Sequence, residues 1–265
     1  MLQQRDAFIQ ELTHLAESDN EIIFLSADFG APALDDYRLR FPNQFYHLGI
    51  SEQNMIDVAI GLAERKKKVF TYAMAPFISL RCAEQHKIAA MMDLPIVNII
   101  AGVGLSYANA GPTHYATEDL ATFSSMAGAT IYTCSDSEIS KKVANGLAQK
   151  PEFSFVRLDR ECAGYIDSSK EFDFDTGYRD FFDGPKVAIL SHGYSLNRLY
   201  KAIQKKGELH KSIKLFDIFR FKPLSNELIQ DLKDYDHIIF VDEQMPFSSI
   251  GTLWAQKFNE LLPDA

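Results

Sequence analysis

Phe45-Tyr46-His47-Leu48-Gly49-Ile50-Ser51-Glu52-Gln53-Asn54-Met55 reads as a short strand running directly into a helix. From Ser51 onward, Met55, Val58, Ala59 and Leu62 keep the i, i+3, i+4, i+7 spacing of one buried face, and Lys66 to Lys68 close the last turn. The spacing therefore puts Glu52 at the mouth of the helix. A carboxylate there interacts favourably with the positive end of the helix dipole, and Ser51 suits the N-cap, so Glu52 has a purely local explanation. It also stands in a strand-to-helix loop, where α/β proteins present side chains to ligands.

Strand and helix alternate on both sides of this stretch. Upstream, Phe8, Leu12 and Leu15 mark a helix from Leu2 to about Glu17, before the strand-like run Glu21 to Ser26. Downstream come a strand at Val69 to Tyr72, a helix from Phe77 to Met92, a fully buried strand from Pro95 to Ile100 and a helix from Glu118 to Met126. A strand at 130–133, a helix at 136–149 and a strand at 153–158 follow. Between Gly164 and Gly184 the period lapses in Glu171-Phe172-Asp173-Phe174-Asp175-Thr176-Gly177, which reads as a connection. Alternation resumes with strands at 186–191, 213–217 and 237–241 and helices at 196–206, from Ser225, and at 251–262. The expected fold is α/β: two layered domains, 1–163 and 185–265, with largely parallel sheets, joined by a linker at 164–184. The second, at about 80 residues, is small for independent folding and is expected to lean on the first or on another chain.

A hydrophobic content of 46% over 265 residues supports a substantial core, and a net charge of −9 argues against nucleic acid or an anionic membrane as partner. Met1-Leu2-Gln3-Gln4-Arg5-Asp6 lacks the apolar core of a signal peptide, and no run reaches the about 18 apolar residues of a membrane span, so a cytoplasmic setting is expected. Cys82, Cys134 and Cys162 lie far apart without C-x-x-C spacing, and the histidines show no H-x-x-x-H pair. Reduced, buried thiols and no protein-only metal site are the expectation.

After the buried strand comes Ala101-Gly102-Val103-Gly104-Leu105-Ser106-Tyr107-Ala108-Asn109-Ala110-Gly111-Pro112-Thr113-His114. A dinucleotide fingerprint would need a third glycine where Tyr107 stands and a helix directly afterward, and no Walker A sequence occurs. The loop reads better as a scaffold whose glycines let backbone approach a ligand and whose Gly111-Pro112 turn presents His114. His114 can donate or accept a proton there, or be an ordinary loop histidine.

Gly49-Ile50-Ser51-Glu52-Gln53-Asn54-Met55, then Ala75-Pro76-Phe77, then Gly111-Pro112-Thr113-His114 with Glu118-Asp119, together resemble the pyrimidine-binding domain of transketolases, and the part from about Lys186 resembles their C-terminal domain. The resemblance implies a thiamine diphosphate site. Loss of the cofactor's C2 proton needs the imino form of its own aminopyrimidine, which a carboxyl group at the ring nitrogen N1′ stabilises. Glu52 matches that residue, Phe77 an aromatic packed on the pyrimidine, and Asp28 an aspartate near the cofactor. His114 matches a histidine facing substrate oxygens and Arg160 an arginine that clamps sugar phosphate.

The departures from the family pattern are as informative. Leu80 and Ala83 replace two further pocket aromatics, Ala110 replaces an aspartate that contacts a substrate hydroxyl, and Pro32 stands where a phosphate-binding serine is expected. No Gly-Asp-Gly with a following asparagine occurs, and in the family that motif holds Mg²⁺ and the diphosphate. The resemblance thus implies the pyrimidine and C-terminal subunit of a split transketolase. A separate polypeptide would bring the diphosphate-binding domain and the Mg²⁺ ligands, in an α₂β₂ assembly. The β subunit of a 2-oxoacid dehydrogenase shares the two domains, as does 1-deoxyxylulose-phosphate synthase, but Gly111-Pro112-Thr113-His114 and the split favour transketolase. A non-catalytic partner of the same fold is the remaining alternative.

Overall fold

The computed structural model describes residues 2–28, 31–160, 166 and 171–261. Seven strands form the larger sheet: β1 (Ile22–Ser26), β2 (Phe45–His47), β3 (Lys68–Met74), β4 (Ile96–Ala101), β5 (Thr130–Thr133), β6 (Ser154–Leu158) and β10 (Arg220–Lys222), in the order β10-β5-β6-β4-β3-β1-β2. All neighbours are parallel except β10, which runs antiparallel to β5. Strands β1, β4, β5 and β6 are buried along their whole length, as continuous apolar runs covered on both faces should be.

The two faces pack different helices. Phe24 and Val97 face one apolar layer with Phe8 and Leu12 of α1 (Gln4–Ala16) and Val143 and Leu147 of α7 (Ser137–Gln149); α2 (Asp35–Arg40) adds Tyr37. Leu25, Ile96 and Ile100 face the opposite layer, with Met55 and Ala59 of α3 (Glu52–Glu64), Ile78 of α4 (Ala75–Arg81), Ala89 of α5 (Ala83–Met91) and Phe123 of α6 (Asp119–Ser124). The single helix expected from Phe77 to Met92 is two, broken at Cys82, where ψ opens to 14° with no glycine or proline to announce it.

The smaller sheet has the order β11-β8-β9-β7, built from β7 (Arg179–Phe181), β8 (Val187–Ser191), β9 (Ile213–Asp217) and β11 (His237–Val241), with only β7 antiparallel. Helix α8 (Gly193–Lys205) covers one face through Leu196 and Ile203; α9 (Asn226–Leu232) and α10 (Ile250–Leu261) complete the unit. Ala188, Leu190, Phe216 and Trp254 join the same apolar layer as Met55, Ile100 and Phe123, so the small unit leans on the large one through a continuous core.

Two short strands lie across the boundaries expected for the two units. Strand β7 lies inside 164–184, the stretch read as a linker, and β10, from the second unit, completes the first sheet. Three-residue strands are too short for alternation to register in sequence. Arg179 of β7 fastens this junction. Wholly buried, it donates through Nε to Asp217 at 2.8 Å and through Nη2 to Asp136 at 2.8 Å and Ser135 at 3.1 Å. Ser135 in turn hydrogen-bonds Asp217, whose pKa burial pushes up to about 6 against the pull of Arg179. Cys82 and Cys134 are buried free thiols, while Cys162 lies outside the described residues.

Candidate active site

The expected site residues follow successive parallel strands and so meet at one edge of the sheet. Asp28 lies two residues beyond β1, Glu52 opens α3 after β2, Phe77 sits in α4 directly after β3, His114 is in the loop after β4, and Arg160 follows β6. The strand order reverses at β1, with β2 on one side and β3 on the other. In open parallel sheets such a reversal leaves a crevice outside the carboxyl ends of the strands.

Glu52 is only 2% exposed. Ser51 does not cap the helix with its side chain; its hydroxyl donates back to the Leu48 carbonyl at 2.6 Å. The Glu52 carboxylate instead pairs with Arg81, Nη1 to Oε2 at 2.5 Å. The Arg81 guanidinium lies 4.9 Å over the Phe77 ring, and Phe77 meets His114 edge-on at 5.4 Å between centroids. The His114 ring is 6.4 Å from that of Tyr107, over which the exposed Arg160 guanidinium lies at 4.8 Å. A continuous row of contacts thus joins Glu52, Phe77, His114 and Arg160. The charge of Glu52 also reaches the Cys82 thiol beneath it, which burial above all pushes up to about 12.

His114 Nδ1 and the Thr113 hydroxyl are 3.0 Å apart. Asp28 joins the edge less directly. Its carbonyl is 3.1 Å from His47 Nε2, and since the Gly49 N–H donates to His47 Nδ1 at 3.2 Å, Nε2 is the nitrogen that carries the proton. The carboxylate of Asp28 and the hydroxyl of Tyr107 both act on buried Tyr72, whose pKa is raised mainly by burial.

The loop carrying His114 depends on a close approach. Gly102 has φ +77°, and a Cβ there would lie 2.2 Å from the Tyr107 ring. Gly111, with φ +92°, turns the chain into Pro112 and His114. The second unit holds the loop down: Glu243 accepts from the Leu105 N–H at 3.1 Å, Gln244 donates to the Ala116 carbonyl at 3.2 Å, and the Met245 N–H donates to the Thr117 carbonyl at 3.0 Å. Asp159, beside Arg160, accepts from the Tyr194 N–H at the start of α8 at 2.9 Å, and burial pushes its pKa up to about 6. Gly102→Ala is expected to displace Tyr107 and cost about 1–2 kcal/mol for the left-handed backbone alone. Urea unfolding would register the loss; stability equal to the parent chain would contradict the packing described.

Arg81 and Tyr107 are absent from the sequence-based set of site residues. Arg81 could have been found from its i, i+4 spacing to Phe77 on one helix face. Tyr107 had the weaker signal of an aromatic in a glycine-rich loop. Where the family pattern is broken, Leu80 is exposed, Ala83 is half-buried, Ala110 is exposed and Pro32 begins a short 3₁₀ turn.

Comparison with known proteins gives two family matches: "Transketolase, pyrimidine binding domain" over residues 1–163 and "Transketolase, C-terminal domain" over residues 182–263. The chain is 28% identical over 265 residues to a subunit of the apulose-4-phosphate transketolase of Phocaeicola vulgatus, covering 98% of this chain and 85% of the relative. It is 29% identical over 232 residues to Homo sapiens transketolase, covering 86% of this chain but only 37% of that longer protein. Among solved structures, a split-gene transketolase described as an inactive β4 tetramer superposes with a TM-score of 0.83 at 22% identity, covering 99% of this chain and 86% of the other. Transketolase from Campylobacter jejuni superposes with a TM-score of 0.78 at 17% identity, covering 99% of this chain and 47% of that one.

Proposed function

Because this chain belongs to the transketolase family, we propose that it is the β-type subunit of a split transketolase, moving a two-carbon ketol unit from a ketose-type donor to an aldehyde acceptor. The observation that carries this reading is the row Glu52, Arg81, Phe77, His114 along one sheet edge. A buried carboxylate beside a half-buried aromatic suits the aminopyrimidine half of thiamine diphosphate. Among the described residues there is no group of three or more His, Cys, Asp or Glu side chains able to hold a metal. The sequence carries no Gly-Asp-Gly motif, and in this reading the diphosphate-binding domain and the Mg²⁺ ligands come from a separate subunit in an α₂β₂ assembly. The cytoplasm is the compartment proposed for it, in keeping with buried free Cys82 and Cys134.

When bound, thiamine diphosphate supplies a nucleophilic thiazolium carbon. In this reading Glu52 holds a proton at the pyrimidine N1′, and its burial keeps that contact strong. Phe77 shields the ring, and Asp28 stands at the same edge as a further cofactor contact. His114 exchanges a proton with substrate oxygens, its ring set by Thr113 and Phe77. Arg160, exposed over Tyr107, takes the anionic end of a substrate.

The test is co-expression with a polypeptide bearing a Gly-Asp-Gly diphosphate-binding domain, followed by ketol transfer from hydroxypyruvate to a panel of aldehydes. Turnover is expected in the complex and not in the isolated chain, as the inactive β4 description of the related structure suggests. A cofactor-loaded complex without turnover would favour a non-catalytic partner. His114→Asn is expected to lower kcat/KM by about 10²-fold, the scale of one proton-transferring side chain, with cofactor affinity unchanged. An equal loss in cofactor affinity would instead place His114 in the cofactor pocket.

A further inference from the structure

Three arginine–carboxylate contacts in this fold can be compared directly. Arg157 grips both oxygens of Asp119 at 2.8 and 3.2 Å with both partners buried, and Arg179 is enclosed between Asp136 and Asp217. Those are permanent structural pairs. The Arg81–Glu52 pair is built differently: one hydrogen bond, with a carboxylate 2% exposed and an arginine 44% exposed. The guanidinium that pairs with this buried carboxylate is itself open to solvent, and it lies over the Phe77 ring.

A guanidinium is planar, carries N–H donors in its plane and stacks on aromatic rings. Those are also the features by which an aminopyrimidine would engage a carboxylate and a phenylalanine. We propose that Arg81 is a placeholder for the pyrimidine ring: before the cofactor binds it keeps Glu52 paired and covers Phe77, and it swings to solvent when the ring arrives. This rests on the reading of Glu52 and Phe77 as the pyrimidine contacts. A buried carboxylate left without a partner is costly, so the placeholder stabilises the protein before cofactor capture. It also lowers cofactor affinity by the fraction of molecules in which Arg81 covers the site. Its half-exposed position lets it leave without breaking the fold.

The experiment uses the complex of this chain with its diphosphate-binding partner and titrates thiamine diphosphate with Mg²⁺ by calorimetry, alongside the thermal midpoint of the cofactor-free complex. Arg81→Met, which keeps the stem and removes the charge, is expected to bind the cofactor about tenfold more tightly. Its cofactor-free midpoint should fall by about 3 °C, and that fall should vanish when Glu52→Gln is added. Arg81→Lys should fall between the two, and it carries the comparison if Arg81→Met does not fold. Unchanged or weaker binding by both variants, with normal binding by the parent complex, overturns the placeholder. Failure of the parent complex to bind thiamine diphosphate overturns the cofactor reading itself and the placeholder with it.

Discussion

Under the proposed function, Glu52→Gln is expected to lower ketol transfer by the partner-completed enzyme by about 10²- to 10⁴-fold, the range that a positioned acid–base side chain contributes. Glutamine keeps the shape and one hydrogen bond of glutamate but cannot exchange the proton that the proposed role requires of Glu52. The fold should survive the change, since the residue stranded by it, Arg81, is 44% exposed and regains water. Glu52→Asp keeps the charge but draws it back by one methylene, so its loss should be smaller. Turnover measured on variants of matched thermal midpoint decides the matter, and near-normal turnover by Glu52→Gln would remove Glu52 from the chemistry.

Arg179→Met has the largest expected effect on stability. It strands Asp136 and Asp217, both fully buried, in a cluster that ties β7, β9 and the start of α7 together. Removing one partner of such a group costs about 3–5 kcal/mol, because the remaining charges stay buried. The deficit carries a pH signature. Asp217 already titrates at about 6, raised from 3.8 by burial, so what it contributes to stability is present at low pH and lost as pH rises through that value. Without Arg179, which holds that pKa down, the loss extends further upward. Urea unfolding should therefore show a larger deficit at about pH 8 than at about pH 5. A deficit below about 1 kcal/mol at both would mean that the cluster is solvated and not the fastener described.

The α/β alternation was legible because buried parallel strands such as Ile96–Ala101 read as unbroken apolar runs, while α3 carries its period in Met55, Val58 and Ala59. That the candidate residues would share one edge was legible for a related reason: Asp28, Glu52, Phe77, His114 and Arg160 each follow a strand, and parallel strands bring such positions to one edge. What stayed hidden was non-local or too short. Nothing around Glu52 announces Arg81, 29 residues on. Nothing near Arg179 names Asp136 or Asp217, about 40 residues away in either direction. Strands β7 and β10 have three residues each, and the break at Cys82 has no helix-breaking residue behind it.

Strand β10 has a further consequence, for how the chain is made. It closes the β5 edge of the large sheet, yet Arg220 leaves the ribosome roughly 90 residues after Thr133, a delay of about 5–20 s at ordinary rates of synthesis. Throughout that interval Thr130-Ile131-Tyr132-Thr133, a run of strongly strand-forming residues, is an open edge able to pair with another nascent chain. The large sheet is therefore a template left unfinished until residues 220–222 have been made, and the yield of soluble protein should depend on how well that edge is guarded in the meantime.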